Sequence, residues 1–472
     1  MDTLATFWEW LKNAESREIV RFIGGGFIAL VGAAWAVFKW LHRHKPPDRS
    51  EGTISVSQTA DKVTRFPNIG DEVQPEKHLR QIPGGDALAP DIELFRNKIQ
   101  AGFREEALNL FKERLAWRLA FEFCAPDLEI ELLSPLFPDG LPSSPENRIC
   151  LPDLKNEGDQ AWVLNETANC YRDLGHPRTA TLLYEKQCAI RGQQGALKGL
   201  ALGRYNLGEC LLLRGKLKKA EEALSLGIAY FAQEKHRDLF HEAVGLGKRG
   251  LLFAYMGNYQ GAEIDLGKAI QTIDAYDEVQ SLGLLWAHRA INKLLEGRES
   301  SGPWQDEAYK ASWTALRIAE DTTYEHFSLE RDFIRAHWLC GAVWLSMDHH
   351  AKAEGHLSEA RVRARRIKLV EFETPILLEL SRLWLKQNQL EKAQTCAKDA
   401  LEIATLCDYR LVQADAHLML AQLALGRGDY DTAWEEIQNG RERALCDGEN
   451  HRYLAAWIKS ERYMKNIAHR AR

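Results

Sequence analysis

The sequence predicts an all-α body built as a stacked array of helix pairs, and three observations carry that prediction. From Ile92 onward the apolar residues recur at helical spacing. No run of alternating apolar and polar residues follows, so no strand is expected there. The same small-residue positions then return about every 40 residues, the signature of a repeat architecture. Length and composition agree, since 472 residues, 45% apolar and 27% charged, supply core for two or three domains. Lys plus Arg number 61 against 67 for Asp plus Glu, a net charge of -6 that offers no global positive field to a nucleic-acid backbone. No nucleic-acid partner is expected.

The repeats justify themselves copy by copy. The clearest is YNLGECLLLRGKLKKAEEAL, with Leu207-Gly208, Gly215, Ala220 and Leu224. Gly250, Gly257, Ala262, Leu266 and Ala269 stand in equivalent places, and Tyr171, Gly175, Ala180 and Tyr184 mark an earlier copy. Downstream come Trp286, Gly297, Ala308 and Ala315; then Gly341, Trp344, Ala353, Leu357 and Ala360; then Leu380, Trp384, Ala393 and Ala400; then Leu420, Ala421, Gly428, Ala433 and Ile437. Seven copies therefore lie between residues 158 and 446. A small residue on the first helix and Ala on the second let the two backbones approach, while larger side chains fill the seam. The fourth copy departs twice, with the insertion RESSGPWQ between its helices and Arg289 at a position where leucine is expected.

This spacing resembles the tetratricopeptide repeat (TPR), in which two antiparallel helices carry a large residue, Leu-Gly, an aromatic, a Gly and then an Ala-rich second helix. The resemblance implies a TPR-like α-solenoid of about seven pairs. The pattern is also similar to the sensor repeat regions of bacterial signalling and defence ATPases, with the ATPase absent from this chain. Anchored repeat proteins of envelope assembly, which recruit proteases or lipid enzymes, are a third likeness, but the CxxC tail of some of those is missing.

Flanking segments complete the plan. Residues 91–157 read as an N-terminal helical cap with a repeat-like turn at Gly102 and Ala107, followed by a loop or short broken helices carrying Pro126, Pro135, Pro138, Pro142, Pro145 and Pro152. Residues 447–472 read as a C-terminal capping helix, with Tyr453, Leu454, Trp457 and Tyr463 toward the array. Residues 46–90 hold six prolines and no period, a flexible linker whose ~45 residues reach on the order of 35–40 Å. A short strand at Thr53 to Ser57 is an alternative there.

Residues 1–45 are expected to be a membrane anchor. The stretch FIGGGFIALVGAAWAVF, extended to Leu41 if Lys39 snorkels, is long enough to span at residues 22–41. Trp8, Trp10, Trp35 and Trp40 suit its two interfaces. Ala34-Trp35-Ala36 formally matches a signal-peptide cleavage site, but acids precede the apolar run and the run continues past the cut. A buried core helix is the other alternative, because three adjacent glycines weaken the run. Lys39, Arg43, Lys45 and Arg49 follow the span, which together with nine scattered cysteines places the C-terminal body in the cytoplasm as a single-pass protein. Gly25, Ala29 and Ala33 form a small-residue stripe for helix pairing, and hence a possible homo-oligomer.

No catalytic, metal or cofactor set emerges from the motifs. Gly245-Leu246-Gly247-Lys248-Arg249-Gly250 matches the dinucleotide fingerprint, but it lies inside a repeat helix where that chemistry needs a strand and a turn. His349, His350, Glu354 and His356 lack the paired ligands of a metal site. Arg361, Arg363, Arg365, Arg366 and Lys368 form a basic run that reads either as a solvated helix end or as a dock for an acidic partner or lipid. The chain is expected to be no enzyme and to need no cofactor. Register instead places Asn165, Asn169, Arg172, Tyr205, Glu209, Arg335, Trp338, Arg382 and Lys386 on the concave wall, with Trp338 able to pack between repeats. Such a wall suits a protein partner, an extended peptide or a helix lying in the groove. The expected function is a membrane-anchored scaffold or adaptor at the cytoplasmic face. The alternative is a sensor-effector whose span oligomerises to perturb the membrane.

Overall fold

The computed structural model describes residues 85–141, 149–276, 278–298, 304–322 and 329–447, all within one compact unit, Arg65–Arg472. The expected span at 22–41 with Gly25, Ala29 and Ala33, the possible strand near residue 53 and the capping helix after residue 447 lie outside the described residues. Among the described residues no helix is long and apolar enough to cross a membrane.

Helix α1 (Ala89–Gln100) follows a 3-10 turn, Gly85–Leu88. The helical cap therefore begins before residue 91, inside the segment expected to be linker. Pro90 sits in the first turn of α1, where a missing N–H costs nothing, and Leu88 is fully buried. Gly102 (φ +82°) then turns the chain into α2 (Arg104–Leu110), which runs on through two π-helical stretches, Phe111–Leu115 and Arg118–Glu122. The proline-rich segment supplies one helix, α3 (Pro126–Leu133), whose Leu128, Leu132 and Leu133 are buried.

Seven antiparallel pairs follow among the described residues. They are α4 (Glu157–Asp173) with α5 (Pro177–Gln193), α6 (Leu197–Leu213) with α7 (Leu217–Ala232), α8 (Leu239–Met256) with α9 (Tyr259–Asp274), and α10 (Val279–Gly297) with α11 (Trp304–Thr322). Then come α12 (Glu330–Ser346) with α13 (His350–Arg366), α14 (Val370–Lys386) with α15 (Leu390–Leu406), and α16 (Arg410–Gly426) with α17 (Tyr430–Ala444). The body is thus a TPR-like solenoid.

The small-residue positions explain each seam. A Cβ on Gly208, Gly250 or Gly341 would lie 2.6, 2.7 and 2.6 Å from Cγ of Leu224, Leu266 and Leu357, so the second helix can close only on a glycine. Ala220, Ala262 and Ala353 are fully buried opposite them. The turns inside the pairs repeat one bond as well. The N–H of His176, Lys216, Asn258, His349, Gln389 and Asp429 each donates to a carbonyl five residues back, at 2.7–3.0 Å. The residue before each has positive φ, which makes these Schellman caps: Gly175, Gly215, Gly257, Asp348, Asn388 and Gly428. In the divergent fourth pair, Trp304 lies against Gly297 and takes the place of that turn's packing. Arg289 there leaves the core and pairs with Glu263 on α9.

The array does not stay an open rod. Arg178 and Arg214, in the first two pairs, both donate to Asp408 Oδ2 at 3.0 and 3.1 Å, across the turn from α15 to α16. Lys368 reaches Asp127 of α3 at 2.9 Å, Arg331 pairs with Asp173, and the Lys218 N–H donates to Asp447 at 2.7 Å. Gly175 faces Cys407 Sγ and Val370 so closely that a Cβ would sit 2.7 Å from the sulfur. Leu211, Leu217 and Ala220 of the second pair share one apolar cluster with Leu411, Ala414 and Ala433 of the seventh. The superhelix therefore closes on itself within about one turn.

Candidate functional site

Closure brings first helices of several pairs together on the inner face of the array, and their charged residues meet there. At its N-terminal end Arg172 pairs with Asp173 at 3.0 Å and approaches Glu209 at 3.6 Å, and Lys248 reaches the other Glu209 oxygen at 2.6 Å. Burial alone would raise the Glu209 carboxyl, but Lys248 and Arg172 outweigh it and hold the pKa down at about 2. Burial likewise opposes the charge of Asp173, yet Arg331 and Arg172 keep it below the usual carboxylate range. His288 is driven down to about 3, first by burial and then by Arg335, and so stays neutral beside the Gly247 carbonyl at 3.2 Å. Arg335 pairs with Asp332 at 2.9 Å and stands 5.1 Å from the Phe372 ring. Removing any one of these partners would strand a half-buried charge.

Farther along, five successive first helices wall a small, open recess of about 60 Å3. Its apolar wall includes Tyr255 of α8, Leu295 of α10, Trp338 and Ala342 of α12, Leu378 of α14 and Val412 of α16. Pro375 also lines it and removes one backbone donor from α14, where the Thr374 hydroxyl donates to the orphaned Glu371 carbonyl at 3.5 Å. Glu379 accepts from Arg298 at 2.5 Å and from Arg382 at 2.7 Å. The fourth charged side chain on the wall, Asp415, has no ion-pair or hydrogen-bond partner among the described residues.

The residues placed on the wall by register divide into three groups. Arg382 stands on the recess wall, and Arg172, Glu209 and Arg335 belong to the buried charge pairs. Asn165 and Asn169 are half-buried and bound within the array: Asn165 accepts from Asn206 at 3.0 Å, and Asn169 accepts from the Tyr184 hydroxyl at 2.6 Å. Tyr205 is a correction. It is 1% exposed, with Gly227 and Gly245 pressed on its ring and its hydroxyl donating to the His241 carbonyl, so it is core between repeats. Trp338 is buried at 8% exposure and forms the back of the recess, its indole packed on Phe372. Lys386 is a second correction, since it leaves the wall to bind Asp348 at 2.5 Å in the preceding pair's turn.

Asp173, Lys248, His288, Arg298, Arg331, Glu379 and Asp415 were not anticipated. Their one sequence signal is a charge at an otherwise apolar step of a first helix. The glycines of the dinucleotide-like motif prove to be packing positions within α8, where Gly245 meets Tyr205, Gly247 meets Leu285 and Gly250 meets Leu266. Four of the five residues of the basic run are engaged internally, Arg363 and Arg366 on Glu330, Arg365 on Glu373 and Lys368 on Asp127. His356 forms a close pair with His337, Nδ1 to Nδ1 2.9 Å, and burial pushes His337 down to about 4. Among the described residues no group of three His, Cys, Asp or Glu is placed to hold a metal ion.

No family model matches this chain, and no curated protein matches it. Solved structures are similar to it at low identity. A Rap protein complexed with competence and sporulation factor is 12% identical, with 82% of this chain and 100% of that one covered and a TM-score of 0.46. Aspartyl phosphate phosphatase F from Bacillus subtilis is also 12% identical, covering 80% and 90%, with a TM-score of 0.38. A signal transduction ATPase with numerous domains from Pyrococcus horikoshii, which has a tetratricopeptide repeat sensor, is 14% identical over 67% of this chain and 54% of that one, at 0.37. The assignment of a TPR-like array stands on this chain's own seams.

Proposed function

We propose that this chain is a membrane-tethered scaffold whose inner face takes a segment of a protein partner. The observation that supports it most is the recess, where five helices from different repeats converge on an apolar wall with one carboxylate unpaired. A surface assembled from so many repeats is stiff and concave, the form that recognises an extended segment. The tether is read from the apolar stretch at residues 22–41, and the basic flank after it supports a body on the cytoplasmic side.

Site-specific photocrosslinking in the full chain tests this. A photoreactive phenylalanine analogue at Val412, beside the recess, should give adducts that map to one segment of one protein. The same group at Val362, 64% exposed on α13, should not. Equal labelling from both positions would contradict an inner-face site. Alkaline extraction of membranes should leave the full chain in the pellet and release a chain lacking residues 1–45. Toxicity on overexpression that depends on Gly25, Ala29 and Ala33 would favour the sensor-effector reading instead.

A further inference from the structure

The charges of the recess cancel in sum, two cations against two carboxylates, but they are unevenly paired. Four charged side chains stand on its wall, and Arg298 and Arg382 are both committed to Glu379. Asp415 is left without a cation among the described residues, half-buried on α16 beside Leu411 and Val412. Elsewhere on the inner face Asp173, Glu209 and Asp332 each have a basic partner, in Arg172, Lys248 and Arg335. A carboxylate held in a concave, partly desolvated place with no partner favours an incoming positive charge, since pairing there recovers Coulomb energy that an exposed pair would not. The adjoining wall, from Leu295 through Trp338 and Leu378 to Val412, asks for apolar bulk.

We propose that the recess receives an apolar side chain of an extended peptide segment, and that a Lys or Arg within two residues of that anchor pairs with Asp415. This rests on the reading of the inner face as a protein-binding site and adds the chemistry of the segment it takes. A carboxylate is disfavoured at this position, because Asp415 repels it.

The test selects a phage-displayed library of random nine-residue peptides on the full chain in detergent, then measures the consensus peptide by fluorescence anisotropy. Enrichment of Leu, Ile, Val or Met flanked by Lys or Arg is expected. Asp415→Asn, which keeps the shape of the side chain, should weaken that peptide at least about tenfold. The same peptide with norleucine for its basic residue should bind both proteins alike. Leu378→Trp, which fills the recess, should weaken both peptides. Selection of acidic or uncharged segments, or equal affinity for Asp415→Asn and the parent, would overturn the proposal while leaving the inner face as a binding site. If no peptide is enriched, or if binding ignores Leu378→Trp, the inner-face reading itself fails along with it.

Discussion

Within each helix pair the seam is apolar and local, whereas the seam that closes the superhelix adds ion pairs to an apolar cluster and joins residues 158 to 241 positions apart. Three pair seams repeat one device, a glycine on the first helix under a leucine on the second, as with Gly250 and Leu266. The closing seam repeats nothing. It uses Asp408 at positive φ, the arginines that reach it, the Arg331–Asp173 pair and a sulfur set against Gly175. Stability should therefore reside mainly in the pairs, and the shape of the inner face in the closure.

Breaking a pair seam should have the largest effect. Leu266 is fully buried, so Leu266→Ala is expected to cost about 2–5 kcal/mol in chemical denaturation, through lost contact and the cavity left above Gly250. A loss well under 1 kcal/mol would show that the glycine-leucine seam is not what holds the pair.

Titration sharpens the comparison, because the two ends of the buried charge array move oppositely with pH. Glu129 of α3 is 2% exposed with Oε1 unpaired, and burial, then the nearby Glu166, push its carboxyl well above the ordinary value of 4.5. Cys170 and Asp173 on α4 and Arg331 on α12 also face it. The unfolded chain releases that proton near pH 4.5 and the folded chain holds it, so stability falls as pH rises above 4.5. Glu129→Gln should flatten that slope in melts taken between about pH 5 and 8. Glu209 behaves the other way. With its folded pKa at about 2, its contribution is present above 4.5 and is lost as pH falls toward 2, and Glu209→Gln should remove that acid-limb dependence.

The smallest energetic change is expected at the closure. Arg178 is 60% exposed and Asp408 30%, and glycine accepts the positive φ at 408, so Asp408→Gly should lower stability by no more than about 1 kcal/mol. The same substitution should nevertheless widen the spin-label distance between α5 and α17, because it removes an acceptor shared by two pairs. A large loss of stability with an unchanged distance would reverse the assignment of roles.

This contrast also accounts for what could be read from the chain. The pairs were legible because packing of two helix backbones restricts residue size at fixed steps, and Gly208, Gly250, Ala220 and Ala262 satisfy that restriction visibly. The insertion in the fourth pair and the displaced Arg289 were legible for the same reason. Closure depends on superhelical pitch, which accumulates from small rotations between neighbours and leaves no periodic mark. Register alone therefore put Tyr205 on the wall, although the next pair covers it, and passed over Asp173 and Lys248, which become inner residues only once the ends meet. Asp415 shows the limit most plainly, since nothing local distinguishes it from a solvated helix carboxylate until α8, α10, α12 and α14 gather around it.

Closure itself admits one direct measurement. A Cβ at position 215 would lie 3.2 Å from the native Cys446 sulfur, although these residues belong to the second and seventh pairs. Gly215→Cys in the full chain should therefore form an intramolecular disulfide with Cys446 under mild oxidation, identified by mass spectrometry of the linked peptides. Two thiols that both react freely with maleimide and never link would mean that the ends stand apart, and that the inner face described between them does not exist.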